Sequence, residues 1–167
     1  TIPFIYSNPA SVPFVVTGDS LCIQKPLQFT VASATGISRW NWNLGNGSGN
    51  QTPPFSYSYN TAGTFNIQLT VTDVNGCGST ASNNSITIAP NPTVNAGPDK
   101  FISVNTSTTL DATLANAGNY NITWSPATYL SNPAILNPVS TPGQDPITYT
   151  ILTVDKTSLC TASDKVI

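Results

Sequence analysis

Ser20 lies in Gly18-Asp19-Ser20-Leu21, the kind of short stretch that surrounds the nucleophile of a class of serine esterases, so the first chemistry to weigh is acyl transfer. A serine hydroxyl attacks a carbonyl only when a base takes its proton, and the chain has no histidine. Lys25 stands beside Pro26, in no known Ser-Lys arrangement. Paired carboxylates could do general acid–base work, but there is no glutamate. The acids are seven isolated aspartates, Asp19, Asp73, Asp99, Asp111, Asp145, Asp155 and Asp164, mostly in expected turns. No Cys/His spacing suits zinc, and no Asp-x-Asp-x-Asp-Gly loop suits calcium. The run LGNGSGNQ at residues 44–51 offers uncharged oxygens and reads as a polar turn. Asp73 and Asp99 are the weak calcium candidates. The expectation is a non-enzyme without a cofactor.

The elements that would position these residues are strands. Only 7% of the 167 residues are charged, far below the usual quarter, while β-branched and aromatic residues recur in short runs divided by Gly, Pro and Asn. The three Trp, six Tyr and six Phe in alternating patterns argue against disorder despite the abundance of Ser, Thr and Asn. Five basic residues, Lys25, Arg39, Lys100, Lys156 and Lys165, are scattered singly, so no nucleic-acid footprint exists. Apolar runs are too short for a bilayer span, and no charged-then-apolar leader stands at Thr1, so any targeting signal is expected outside these residues. No membrane insertion is expected.

Landmarks recur about 83 residues apart. Asn8-Pro9 returns at Asn91-Pro92, Trp40 at Trp124, Leu69-Thr70-Val71 at Leu152-Thr153-Val154, and Cys77 at Cys160. Two tandem domains follow, at residues 8–89 and 90–167, divided by the stiff IAPNPTV at residues 88–94. Residues 1–7 read as the end of a preceding module or linker, and SDKVI as a final strand cut off in its middle, so the chain reads as part of a longer array.

In GTFNIQLTVTD, Phe65, Ile67, Leu69 and Val71 share one face, the pattern of a half-buried antiparallel strand. Trp40, Trp42 and Leu44, and Leu27, Phe29 and Val31, point inward by the same rule. Asn75-Gly76 marks a tight turn into the last strand, which ends at SITI. In the second domain Tyr120, Ile122 and Trp124 alternate, whereas Ile147, Tyr149 and Ile151 share one parity and Leu152 and Val154 the other, predicting a β-bulge after Ile151. Each domain is expected to be a small two-sheet sandwich. Trp40 and Trp42 read as core rather than as a sugar-stacking platform. Phe55, Tyr57, Tyr59 and Tyr129, nearer loops, are the candidates for an exposed adhesive surface.

With Trp42, Leu44-Gly45-Asn46-Gly47, Tyr59, Ala62-Gly63-Thr64-Phe65 and Leu69-Thr70-Val71-Thr72-Asp73 in order, the first domain resembles the PKD (polycystic kidney disease) family over most of residues 12–88. The second, with VNAGPDKFI, WSPATYLSNP and TYTILTVD, resembles PKD-like repeats of Bacteroidota surface proteins, often exported by type IX secretion. The resemblance implies all-β architecture, two tandem immunoglobulin-like sandwiches used as spacer or adhesion modules, usually without catalytic activity. Asn46 departs from the family's Asp. Ser103 stands where such repeats carry an early Cys, which leaves Cys160 unpaired within its own domain.

Cys22 opens the first strand region and Cys77 begins the last; in a sandwich these can lie side by side, so a Cys22–Cys77 disulfide is expected in an extracytoplasmic chain, with two buried free thiols as the alternative. Such a staple would stabilise a small core by roughly 4 kcal/mol in the chain-entropy picture. Asp19-Ser20-Leu21 fits O-glycosylation as found on exported proteins of that phylum. The functional expectation is a structural section of an extracellular adhesin or filamentous appendage. Its partners are neighbouring repeats, other copies, glycans or other cell surfaces. Two rivals are a carbohydrate-binding accessory module of a polysaccharide-degrading enzyme, and a filament subunit whose residues 1–7 add as a strand to the edge left by SDKVI.

Overall fold

The computed structural model describes residues 11–79, 81–115, 119–143 and 145–167 and divides into two units, the first ending at Ala89 and the second beginning at Pro90. Residues 1–7, read above as a preceding module, lie outside the described residues. Alternation builds the first unit. It contains β1 (Phe14–Thr17), β2 (Leu27–Val31), β3 (Ile37–Asn43), β4 (Ser48–Gly49), β5 (Phe55–Tyr57), β6 (Gly63–Asp73) and β7 (Ser82–Ile88). The strands form a β1-β2-β5 sheet and a β4-β3-β6-β7 sheet, every pairing antiparallel.

The inward residues of both sheets share one core, to which Phe14, Leu27 and Phe29 contribute from the first sheet and Trp40, Trp42, Phe65, Ile67, Leu69, Val71 and Ile88 from the second. Each fully buried aliphatic or aromatic side chain contributes about 1.5–3 kcal/mol relative to exposure, so the alternation of β6 alone accounts for a large share of the unit's cohesion. Trp42 is fully buried at the centre, with Phe14, Phe29 and Phe55 edge-on to it at centroid distances of 5.2, 5.8 and 5.2 Å. Its indole N–H donates to the Gln51 carbonyl at 3.0 Å. The turn after β6 is held by Asp73, whose Oδ1 accepts the N–H groups of Asn75 and Cys77 at 2.9 and 2.8 Å. Gly76 supplies the positive φ, as the Asn-Gly pair predicts.

The second unit contains β8 (Thr93–Asn95), β9 (Thr108–Thr109), β10 (Thr113–Ala115), β11 (Tyr120–Ser125), β12 (Val139–Ser140), β13 (Tyr149–Asp155) and β14 (Thr161–Val166). Its main sheet is β11-β13-β14, with the short pairs β8-β10 and β9-β12. Ala96, Leu110, Ala112, Trp124, Tyr149, Ile151 and Val166 form its core. The Trp124 indole N–H donates to the carbonyls of Ile135 and Leu136, and its backbone N–H to that of Pro133, which ties the end of the irregular WSPATYLSNP stretch and the residues after it back to the tryptophan.

The bulge expected after Ile151 is not there. β13 pairs without interruption with β11 from Thr150 to Asp155 and with β14 from Tyr149 to Val154. Thr153 is buried and Leu152 is 41% exposed. A threonine can take the inward position because its hydroxyl donates to the Ala162 carbonyl at 3.2 Å, so burial leaves no polar group unsatisfied. A register irregularity does occur between Ile37 and Arg39 on β3.

The first four residues of SDKVI lie in β14. β14 pairs with β13 along its whole length, and contacts from β8 and the segment after it gather on its C-terminal half: the Asp164 carboxylate accepts the Ala96 N–H at 2.8 Å, Ile167 donates to Asp99, and Lys100 donates to the Ile167 carbonyl.

Both units fold on carboxylates that act as turn or strand clips. Asp155 accepts from Ser158 N–H and hydroxyl and from Thr157 N–H, and Asp164 from the backbone of Ala96 first and Lys165 second; these bonds hold both pKa values below the ordinary 3.8. A depressed carboxylate contributes stability that is full above its unfolded pKa and is lost as pH falls through the folded value. Acidification below about pH 4 should therefore weaken the second unit, and Asp155→Asn should flatten the acid limb of its urea midpoint against pH. An unchanged acid limb would remove Asp155 from that role.

Candidate functional site

The residues singled out in the sequence are not gathered into one site. Ser20 is half-buried in the loop between β1 and β2, between an exposed Asp19 and a 43% exposed Leu21. No histidine exists to activate it. Asp73 spends Oδ1 on its own turn, and Asp99 accepts the Ile167 N–H at 2.9 Å. Among the described residues no group of three or more His, Cys, Asp or Glu side chains could hold a metal ion.

The expected Cys22–Cys77 bond is not formed: Cys77 is a free thiol, half-buried, whereas Cys22 is 2% exposed and disulfide-bonded. The reason is which strand ends meet. Cys22 bridges to Ala89, just past the Ile88↔Gly63 pair, while the Cys77 carbonyl accepts from Asp73 at the far end of β6. Ten strand rises separate those ends, roughly 30 Å, against the Cα separation of about 7 Å that a disulfide tolerates. Cys160, expected unpaired, is 1% exposed and is also disulfide-bonded. Alkylation of the unreduced protein should therefore modify Cys77, with Cys22 and Cys160 reacting only after reduction; peptide mapping that found Cys22 alkylated without reductant would overturn this.

The aromatic residues placed near loops also divide. Tyr129 is 53% exposed. Phe55 is half-buried and stacks on Phe29 at 4.9 Å, and Tyr57 is half-buried against Tyr59. Tyr59 is wholly buried: its hydroxyl donates to the Leu44 carbonyl at 2.8 Å and its ring stacks on Phe65 at 4.1 Å. Of the four, Tyr129 alone fits an exposed adhesive role. Tyr57 donates to Asn46 Oδ1 at 3.1 Å, so the carboxamide standing in place of the family's carboxylate is used as an acceptor in the β3–β4 loop.

Burial first, and the neighbouring Tyr57 second, push the Tyr59 phenol up to about 12 from 10.0. The fold favours the neutral phenol, so this stabilisation is complete below pH 10 and disappears as pH rises through the folded value. Tyr59→Phe should cost about 1–2 kcal/mol at neutral pH by leaving the Leu44 carbonyl unpaired, and should remove the first unit's sensitivity to alkali between pH 10 and 12. Urea melts across that range check both.

Two surface features complete the inventory. A groove of about 490 Å³ at β3, β6 and β7 is lined by Asn43, Asn66, Gln68, Asn83 and Ser85 from outward positions, together with Ile67 and Asn84. In the second unit a cleft of about 570 Å³ is bordered by Phe101, Ile102, Val104, Ile147 and Ile167, with Lys100 paired to Asp111 beside it. The sequence carries the first as alternating Asn and Gln on outward positions, a signal unread because a polar outer face is the ordinary expectation for such a sheet. No helix among the described residues is long and apolar enough to cross a membrane.

Residues 11–87 match the PKD domain family. Among solved structures, the chain is similar to the PKD1 domain of the Vibrio cholerae metalloprotease PrtV, at 22% identity over 47% of this chain and 94% of that one, with a TM-score of 0.39. It is also similar to the PKD1 domain of Vibrio anguillarum Epp, at 23% identity over 49% and 96%, with a TM-score of 0.40. A C-terminal 282-residue fragment of intimin, solved with the intimin-binding domain of the translocated intimin receptor, matches at 13% identity over 92% and 63%, with a TM-score of 0.49. No curated protein sequence matches the chain. The all-β chain holds two separate strand clusters, and residues 11–87, which match the PKD domain family, form the Trp-centred two-sheet sandwich.

Proposed function

We propose that the chain is a spacer section of an extracellular surface protein, an adhesin or filamentous appendage, whose work is mechanical. The observation that carries this reading is the direct succession of two separately cored units. Ala89 is still bonded into the first, donating to Leu21 and accepting from Ile23, and Thr93 already opens β8, leaving only Pro90, Asn91 and Pro92 between. A three-residue link with two prolines has little freedom to coil.

The second unit is, in this reading, a PKD-like repeat of the Bacteroidota surface type exported by type IX secretion. The WSPATYLSNP stretch anchored on Trp124 supports it. Disulfide-bonded Cys22 and Cys160 suit an oxidising exterior. Neighbouring repeats or other copies are the partners. The contacts at Asp164 and Ile167 weigh against strand addition along the C-terminal half of β14.

Single-molecule pulling tests the mechanical role: two unfolding events under load are expected, and both units yielding at near-zero force would end the spacer reading. Antibody labelling of intact producing cells tests the location, and absence of label overturns it. The half-buried Ser20, between exposed Asp19 and Leu21, is the proposed O-glycan attachment point; protein from the native producer should exceed its polypeptide mass by a glycan that Ser20→Ala removes, and an unmodified mass would exclude it.

A further inference from the structure

The β3–β6–β7 face sets three carboxamides in one register row. Asn43 pairs with Gln68 and Gln68 with Asn83 on adjacent strands. With strands about 4.8 Å apart, the three side chains leave the sheet side by side. All three are exposed, as are Asn66 and Ser85, which pair in the next row. They line the 490 Å³ groove described above.

Asn43 is fixed by its own loop, its Oδ1 accepting the Gly45 N–H at 3.0 Å. Gln68 Nε2 donates to Asn83 Oδ1 at 3.2 Å, Asn41 Nδ2 donates to Thr70 Oγ1 at 3.2 Å on the row to one side, and the Thr64 and Thr87 hydroxyls lie 3.0 Å apart two rows to the other. Along the outward positions of the three strands the only charged group is Arg39, paired with Thr72 at the end of the series. Water-facing sheets ordinarily carry interspersed Lys, Arg, Asp and Glu, whereas this one presents aligned amides.

Each carboxamide offers two N–H donors and a carbonyl acceptor. That set matches vicinal sugar hydroxyls, which both donate and accept. It offers nothing to select a phosphate, sulfate or uronate, because no cation lies in the row. An extended peptide would pair lengthwise along the edge strand β7, whereas this row runs across the strands through β6. We propose that this face binds a neutral polysaccharide, laid as an extended chain across β3, β6 and β7 and held by Asn43, Gln68 and Asn83 with Asn66 beside them. Without an aromatic platform in the groove the single contact is weak, and repeated copies along a surface protein supply avidity. The site is separate from the spacer role and does not depend on it.

Affinity electrophoresis of the whole chain through gels containing xyloglucan, galactomannan or dextran tests the site, with alginate as an acidic control. Retardation in at least one neutral gel, unchanged by 0.5–1 M salt (about the range in which surface charge attraction is screened), is expected. The triple variant Asn43→Ala, Gln68→Ala, Asn83→Ala alters exposed positions only and should reduce retardation at least tenfold, with Gln68→Ala alone intermediate. Migration unaffected by every neutral polysaccharide overturns the proposal. So does retardation that the triple variant retains, or retardation confined to alginate and abolished by salt. If the triple variant shifts the urea midpoint, Gln68→Ala decides by the same readings.

Discussion

Trp42→Ala should destabilise the first unit by about 3–5 kcal/mol, the range for deleting a large buried aromatic, which is a large fraction of the stability of a small domain. The ring is fully buried and touches Phe14, Phe29 and Phe55, so alanine leaves a cavity bordered by three aromatic rings that cannot all collapse into it. The Gln51 carbonyl also loses its donor. Because Trp124 belongs to a separate core, the second unit's urea transition, followed by its own indole, should stay within about 0.5 kcal/mol of the parent. A shift of the first transition by under about 1 kcal/mol would show that Trp42 is not the centre of that core.

Gly97→Ala should cost the second unit about 2–4 kcal/mol, combining the left-handed backbone with overpacking. Gly97 has φ +90°, and a Cβ there would stand 2.7 Å from the Asp111 carbonyl oxygen and 3.1 Å from its carbon, neither of which can swing aside as a side chain could. Its N–H is held by Asn95 Oδ1 at 2.8 Å, so the turn cannot readily change conformation. Gly76→Ala is the matched control: its φ is +84° but nothing lies within 4 Å, leaving the conformational part alone, about 1 kcal/mol. Equal losses at the two positions would mean that the Asp111 contact adds nothing.

Much of the first unit was legible because it is half-buried: on β6 every second residue is apolar and the burial follows it residue by residue. Trp40 and Trp42 were legible as core for the same reason. Leu152 and Thr153 show where the rule fails. Parity counts apolarity, whereas the ladder of β13 with both neighbours keeps its register and lets Thr153 satisfy its hydroxyl inside the sheet. Tyr59 was misplaced because its surroundings are set by Leu44, fifteen residues away, rather than by its own neighbours. The cysteines were mispaired because strand order can be read from sequence more readily than which end of a strand faces which. The amide row needed the register itself: Asn43, Gln68 and Asn83 become one feature only once three strands are aligned.

The closing contacts of each unit also set an order of assembly. Ala89 exchanges hydrogen bonds with Leu21 and Ile23, and Ile167 with Asp99 and Lys100, so each sandwich is sealed by joining its latest residues to its earliest. Neither can complete its strand pairing while its tail is still inside a ribosome or an export channel, and the first has all seven of its strands once Ala89 has emerged. A chain emerging from its N-terminus would therefore lock one domain before the next has appeared, which limits the wrong strand exchanges that threaten tandem β-domains of similar sequence.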